Sequence, residues 1–305
     1  FEVAEFTEDR EAQRRRLTFV VVGAGPTGVE MAGQIRELAT STLRNEFRTF
    51  DPSTARVVLI DGAPQVLPPF GPELGAATQR ALEKLGVEVK LNAIVTDLTK
   101  EGVTIKLTDG TQEFIPSSCK VWAAGVQASP LGRTLAEQSG AGIDRAGRVQ
   151  VNPDLTLPGH PEVFVLGDMM ALNSLPGVAQ VAIQGGRYAA SKIIGERAGN
   201  PVTTNFEYQD KGSMAVISRF AAVAKIGRLE LTGFPAWFAW LFVHLFYVVG
   251  FKNRLTTLLH WAITFIGRGR SERVITEQQM VGRLAVQQLG DDFRPTIAGT
   301  LGPDR

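Results

Sequence analysis

Apolar positions in this chain alternate between unbroken runs and helical spacing, and the alternation lays out the elements. Phe19-Val20-Val21-Val22 is a continuous apolar run, the pattern of a strand buried on both faces of a parallel sheet. It passes directly into Gly23-Ala24-Gly25-Pro26-Thr27-Gly28, after which the spacing turns helical. That helix is expected to run through Ile35, Leu38 and Leu43 to about Phe50, where Asp51-Pro52 ends it. Residues 56–61 form a second buried strand that ends in Asp61. Residues 73–85 read as an amphipathic helix stopped by Gly86, with a strand at 87–89 after it. From 93 to 115 short alternating runs are broken by Lys100-Glu101-Gly102 and Asp109-Gly110, which predicts an antiparallel meander. Residues 120–123 are the returning strand, and Ala124-Gly125-Val126 leaves it as a small-residue turn.

The second half begins with a polar crossover at 131–147 and a strand at 149–152. Residues 163–168 are expected to be a buried strand ending in Gly167-Asp168, and a helix begins at Ala179. A small antiparallel layer spans 206–231. The pattern then changes: residues 234–251 are almost wholly apolar, with no acidic residue and His244 as their single basic one. As one helix this stretch would be about 27 Å long, just short of the ~30 Å hydrocarbon core. A second apolar segment, 255–267, is shorter still. Lys252 and Arg254 divide the two, Arg268, Arg270 and Arg273 follow, and Trp237, Trp240, Tyr247 and Trp261 are the aromatics expected at a membrane interface. Two helices lying in one leaflet fit best; a true span and a buried dimer interface are the alternatives. The tail, 275–305, carries one expected helix at 277–289 and a Pro/Gly-rich end.

Composition narrows the picture. With 305 residues the chain can bury two domain cores. The 32 basic and 31 acidic residues nearly balance, so charge gives no reason to expect nucleic acid as a partner. One cysteine, Cys119, removes any redox pair within the chain and reads as a buried structural thiol. With three histidines besides, a clustered metal site is not expected. The opening FEVAEFTEDREAQRRR, without Met, reads as the end of a helix and a charged connection, as if the chain were entered part-way.

The chemistry sits at the strand ends. In the glycine turn Gly23 permits the bend, Gly25 lets backbone approach a pyrophosphate, and Gly28 lets the helix pack on the strand, with free N–H groups facing the anion. Asp61 lies farther from these glycines than the usual ~20 residues. There it would accept ribose hydroxyls and repel a 2′-phosphate, which favours NADH over NADPH; a plain strand-end cap is the alternative. Gly167-Asp168 is either a turn or an acceptor for a flavin's ribityl hydroxyls. Gln180 and Gln184, four apart, share a helical face and are either ordinary helix polarity or a pair of amides addressing a ring.

Taken together, the stretches LTFVVVGAGPTGVEMAG, WAAGV (122–126), VFVLGD (163–168), AQVAIQGG (179–186), GSMAVISRFAAVAKIG (212–227) and the Trp/Arg-rich block 233–274 resemble the type II, non-proton-pumping NADH:quinone oxidoreductases. The resemblance covers roughly residues 1 to 275. It implies an α/β fold with two dinucleotide-binding domains and a C-terminal membrane-associating region. The expected divisions are 1–16 as the end of an FAD-domain segment, 17–127 as the NADH domain and 128–199 as the C-terminal part of the FAD domain. A β layer at 200–232, membrane-associating helices at 233–274 and the tail at 275–305 complete the series. It implies a respiratory flavoenzyme on the cytoplasmic face of the cell membrane, bound peripherally to lipid, with a homodimer as an option, in which NADH reduces FAD and FAD reduces a membrane quinone. By resemblance Gly23, Gly25, Gly28 and Asp61 hold NADH, Ala124, Gly125 and Val126 border the nicotinamide, and Gly167 and Asp168 belong to the flavin site. Glu30, Gln180 and Gln184 stand at the flavin–quinone junction, Glu30 handling protons; a first-turn acid favoured by the helix dipole is the other reading of Glu30.

The family also carries an earlier G-x-G-x-x-G for FAD, and none precedes Leu17. The chain is therefore expected to be a C-terminal portion that by itself binds FAD weakly and turns over poorly. Gly185 stands where many relatives have Gln. The rival readings are another flavoprotein reductase, or a membrane-associated NADH-binding module without turnover.

Overall fold

The first apolar run is buried along its whole length because both faces of its sheet are covered. The structure, a computed structural model, describes residues 1–266 and Gly282. Arg268, Arg270 and Arg273, the expected 277–289 helix apart from Gly282, and the rest of the tail lie outside the described residues. Two short helices, α1 (Glu2–Glu5) and α2 (Arg10–Arg16), lead to β1 (Thr18–Val22), and α3 (Pro26–Glu37) follows the glycine turn. Then come β2 (Arg56–Ile60), α4 (Pro72–Leu85) and β3 (Val87–Lys90). The meander is β4 (Ala93–Leu98), β5 (Gly102–Leu107) and β6 (Gln112–Pro116), antiparallel throughout, and β7 (Cys119–Trp122) returns to the first sheet. The parallel order is β3-β2-β1-β7.

Successive side chains of β1 point to opposite faces, and each face meets a different layer. Phe19 and Val21 pack with Val29 and Ala32 of α3, Leu74 and Leu82 of α4, and Ala215, Ile217 and Val223 from the C-terminal part of the chain. Val20 and Val22 pack with Val58 and Ile60 against Val103, Ile105 and Ile115 of the meander.

The remaining elements are α5 (Pro130–Ser139), β8 (Val149–Gln150), β9 (Thr156–Leu157), β10 (His160–Phe164), β11 (Met170–Ala171) and α6 (Ala179–Arg197). They form a second core in which Val149, Leu155, Leu157, Val165 and Met170 surround Val181 of α6. A three-stranded sheet, β12 (Ser213–Ser218), β13 (Ala221–Ile226) and β14 (Leu229–Thr232), stands in that order with β12 at its edge. Helix α7 (Gly233–Tyr247) packs on this sheet, burying Ala236 and Trp237 against Val216, Ala222 and Ala224, and α8 (Phe251–Ile266) folds back beside it.

Three local expectations are corrected. The helix after the glycine turn ends at Glu37 rather than near Phe50. Over Leu38–Thr42 it widens into a π turn in which Leu43 N bonds Leu38 O at 2.9 Å and the Thr40 hydroxyl donates back to Arg36 O at 2.9 Å. Ser and Thr in succession favour such competing bonds over a regular ladder. Cys119 is half-buried rather than buried. The strand expected over 163–168 ends at Phe164, because β10 pairs only with the two residues of β9 among the described residues; Gly167 and Asp168 sit on a 3₁₀ turn.

Candidate functional site

The carboxyl ends of β1, β2 and β7 meet at the glycine turn. Gly23 has φ +106°, and a Cβ there would lie 2.6 Å from the Ala123 carbonyl at the end of β7. A Cβ on Gly28 would lie 1.7 Å from Gly23 O, so α3 rests directly on the turn. Gly25 differs: nothing lies within 4 Å of where its Cβ would be, and Pro26 and Thr27 beside it are exposed. No side chain caps α3 at Gly25, so its first N–H groups face this open space. A cradle open only at the middle glycine suits a pyrophosphate.

Asp61 closes the side of the turn. One carboxylate oxygen accepts the Ala24 N–H, and the other accepts the Ala63 N–H at 2.7 Å. Each oxygen keeps a further lone pair, so the residue that braces the glycine turn still has capacity for ribose hydroxyls. Both sequence readings of Asp61, strand-end cap and ribose acceptor, are compatible with this geometry. Ala124, Gly125 and Val126 emerge exposed beside the turn; Gly125 has φ +96° with nothing near its missing Cβ, and Val126 is 84% exposed.

Gly167 adopts φ +62°, and a Cβ there would come within 3.1 Å of Ala182 in the first turns of α6. Its neighbour Asp168 is exposed and makes no hydrogen bond among the described residues. Val178, at the N-terminus of the 19-residue α6, supplies no capping side chain. An open carboxylate beside an open helix N-terminus is a donor and acceptor set that fits the polar chain and phosphate of a flavin nucleotide.

Gln180, Gln184 and Glu30 all hold one stretch of backbone, 209–216. Gln184 clamps Gln209 from both sides: its amide nitrogen donates to Gln209 O at 2.9 Å and its oxygen accepts Gln209 N–H at 3.0 Å. Gln180 donates to Gly212 O at 2.8 Å and accepts Lys211 N–H at 3.2 Å. Four residues on, the Glu30 carboxylate accepts the Val216 N–H at 3.2 Å. Both amides thus engage backbone, the two glutamines standing at the start of this segment and Glu30 in the middle of β12. Burial pushes the Glu30 carboxyl above the usual carboxylate range, against the Val216 hydrogen bond and the charge of His244, which pull it down.

Sequence reasoning missed two residues of α3 that meet the same segment as Glu30. A Cβ on Gly33 would lie 1.7 Å from Ile217 O, and Glu37 accepts Arg219 N–H at 2.9 Å. Positions 30, 33 and 37 follow the helical spacing of one face, so α3 covers the open edge of β12 with acid, glycine and acid. The spacing Glu-x-x-Gly-x-x-x-Glu was the available signal.

Residues 1–186 match the pyridine nucleotide-disulphide oxidoreductase family. The chain is 57% identical over 293 residues to the type II NADH:quinone oxidoreductase Ndh of Mycobacterium tuberculosis, covering 95% of this chain and 63% of that protein. It is 57% identical over 302 residues to NdhA of the same organism, covering 98% of this chain and 64% of that one. It thus spans less than two thirds of the length of either relative. The fold is shared with Plasmodium falciparum NDH2, solved in complex with NADH, at a TM-score of 0.78 and 16% identity over 89% of this chain and 70% of that one. The resemblance carried by the motifs is borne out, and the chain, with its glycine turn at the carboxyl edge of a β3-β2-β1-β7 sheet, belongs to the pyridine nucleotide-disulphide oxidoreductase family.

Proposed function

We propose that this chain carries the NADH-binding and quinone-facing parts of a type II NADH:quinone oxidoreductase that does not pump protons. The observation that carries the reading is the joining of two ends by α3: its N-terminus forms the cradle at Gly25, and its next turn presents Glu30 to the segment held by Gln180 and Gln184. The 57% identity to two enzymes of that name supports it.

In this reading Gly23, Gly25 and Gly28 admit the pyrophosphate of NADH and Asp61 takes the ribose hydroxyls. Ala124, Gly125 and Val126 border the nicotinamide without side-chain bulk. Gly167, Asp168 and the N-terminus of α6 hold part of FAD, which when bound supplies the hydride acceptor and one- or two-electron donor that amino acids lack. Glu30, whose carboxyl burial shifts upward from its ordinary range, exchanges a proton at the quinone. Gln180 and Gln184 fix the segment that borders the quinone head.

The membrane face belongs to α7. Phe234, Phe238, Phe242 and Phe246 recur every four residues along one side and are 56–64% exposed, whereas Trp237 opposite is 7% exposed. No helix among the described residues is long and apolar enough to cross a membrane, and a phenylalanine stripe suits a helix lying in one leaflet. On this reading the enzyme binds lipid peripherally, and the Lys252 and Arg254 that follow α7 meet headgroups.

The test is made on the flavin-loaded enzyme with NADH and a short-chain quinone. Stoichiometric NADH loss with quinol formation, and much slower turnover of NADPH, are expected; NADH binding without flavin bleaching or NADH loss would overturn the reading in favour of a binding module. In flotation with phospholipid vesicles, Phe238→Ser with Phe242→Ser should leave the protein in the unbound fraction, and undiminished flotation would exclude this face as the attachment.

A further inference from the structure

Ala24, between the first two glycines of the turn, is held at both ends. Its N–H donates to the Asp61 carboxylate, and its carbonyl accepts the Leu67 N–H at 2.9 Å. No peptide bond among the described residues is cis, and in a trans peptide the C=O and the N–H point in opposite directions across one plane. The Ala24 carbonyl shares its plane with the Gly25 N–H, so turning that carbonyl towards Leu67 turns the Gly25 N–H the other way. This N–H makes no hydrogen bond among the described residues. Gly25 is also the glycine whose missing Cβ has nothing within 4 Å.

Leu67 makes its contact from a strained backbone. Its φ is +51° and its ψ +57°, the left-handed region that a bulky side chain rarely adopts. Such strain persists only where the surroundings over-determine it. Val66 and Leu67 are fully buried in the core that contains Val29 and Leu74, and a Cβ on Gly75 of α4 would lie 2.5 Å from Val66 O. Pro68 and Pro69 fix the next two φ angles, and Phe70 is buried. The C-terminal sheet ties down the far end of this strap. Lys225 of β13 donates to Phe70 O at 3.2 Å and pairs with Glu230 of β14 at 3.4 Å. A Cβ on Gly212 would lie 2.2 Å from Lys225 O, so the strand of this lysine abuts the residue that Gln180 grips.

We propose that Leu67 is a positioning residue for NADH: its N–H, by holding the Ala24 carbonyl, aims the Gly25 N–H at the pyrophosphate, and Lys225 keeps the strap in place. The proposal rests on the function proposed above, in which the pyrophosphate lies at Gly25. The pyrophosphate takes no part in hydride transfer, so its contacts are alike in the bound state and the transition state. Losing the aim of one N–H therefore weakens binding and leaves the chemical step alone.

Steady-state kinetics of the flavin-loaded enzyme with NADH and a short-chain quinone tests this in two arms. Replacing Leu67 by leucic acid, its α-hydroxy analogue, turns the N–H into an ester oxygen and leaves the side chain as it was. The KM for NADH should rise about tenfold, with kcat within about twofold of the parent. Lys225→Met should raise that KM about threefold, and Lys225→Arg, which keeps a donor for Phe70 O and a charge for Glu230, should bring it back. General loosening of the fold would lower kcat as well. An unchanged KM in the ester or in Lys225→Met, no recovery in Lys225→Arg, or a fall in kcat that matches the rise in KM overturns the proposal. Gly25→Ala with the parent's affinity for NADH would instead remove the pyrophosphate from the cradle and overturn the functional reading itself, whatever the two arms give.

Discussion

Glu30 on α3 accepts the backbone N–H of Val216 at 3.2 Å, which places a carboxylate of the helix after the glycine turn on the open edge of the C-terminal sheet. An edge strand exposes unpaired N–H groups, and here α3 supplies an acceptor to one of them through Glu30 and to the Arg219 N–H, in the turn just after β12, through Glu37. The candidate proton carrier is therefore also part of the join between the two layers.

Burial holds the folded pKa of Glu30 above its ordinary 4.5. Folding then favours the protonated carboxyl, so the stability it contributes is complete below 4.5 and is lost as the pH rises through the folded value. Glu30→Gln stays neutral and keeps an acceptor for Val216, so it should gain stability relative to the parent as the pH rises from 4.5 towards neutrality. Denaturant unfolding of both proteins across that range measures the gap; a gap independent of pH would contradict the raised pKa.

Gly33→Ala places a methyl group 1.7 Å from Ile217 O, with backbone on both sides and no flexible side chain to give way. Helix and strand must separate, at a cost of about 1–3 kcal/mol. Thermal or denaturant unfolding should show that loss, and wild-type stability would mean that α3 and β12 are not in this contact.

Two glycines of the same turn should behave differently. Gly28→Ala collides with Gly23 O at 1.7 Å and should destabilise the fold, whereas Gly25→Ala meets nothing within 4 Å and has an ordinary φ of −72°. Gly25→Ala should therefore keep the parent's stability while weakening NADH binding about tenfold, roughly 1.4 kcal/mol. Calorimetric titration with NADH, read beside a melting curve, separates the two effects; tight NADH binding by Gly25→Ala would remove the pyrophosphate from this cradle.

The glutamine clamps predict a pattern of amide exchange. Gln184→Ala removes the acceptor for Gln209 N–H and Gln180→Ala that for Lys211 N–H. Each variant should accelerate hydrogen exchange at its own partner and leave Val57 to Ile60 of the parallel sheet protected. Acceleration spread evenly over the protein would indicate general loosening instead.

Much of the first sheet is legible in the sequence because its signals are local. The run 19–22, the glycines after it, the strand ending at Asp61 and the hairpin turns at 100–102 and 109–110 each depend on neighbours a few residues away. The π turn at Leu38–Thr42 is less visible: apolar spacing continues past it, while the Thr40 hydroxyl's bond to Arg36 O is a competition that periodicity does not record. The candidate site is legible by residue type, but the partners are not. Nothing near Gln180 in the chain announces that its amide holds Gly212, or that Gly33 is small because Ile217 O rests on it. Contacts between distant segments are fixed by how layers stack, which a one-dimensional period cannot express.

The bond from Glu30 to Val216 joins residues 186 apart in the chain. At a synthesis rate of about 5–20 residues per second, β12 is made roughly 10–40 s after α3. For that interval the nascent protein carries α3 with its glycine face at Gly33 not yet covered by β12. Docking of the C-terminal sheet is thus a late, long-range event in biogenesis, and slow for the loop it must close. A ribosome stalled between α3 and β12 would display an uncovered face on which a chaperone, rather than the chain's own sheet, is the first partner.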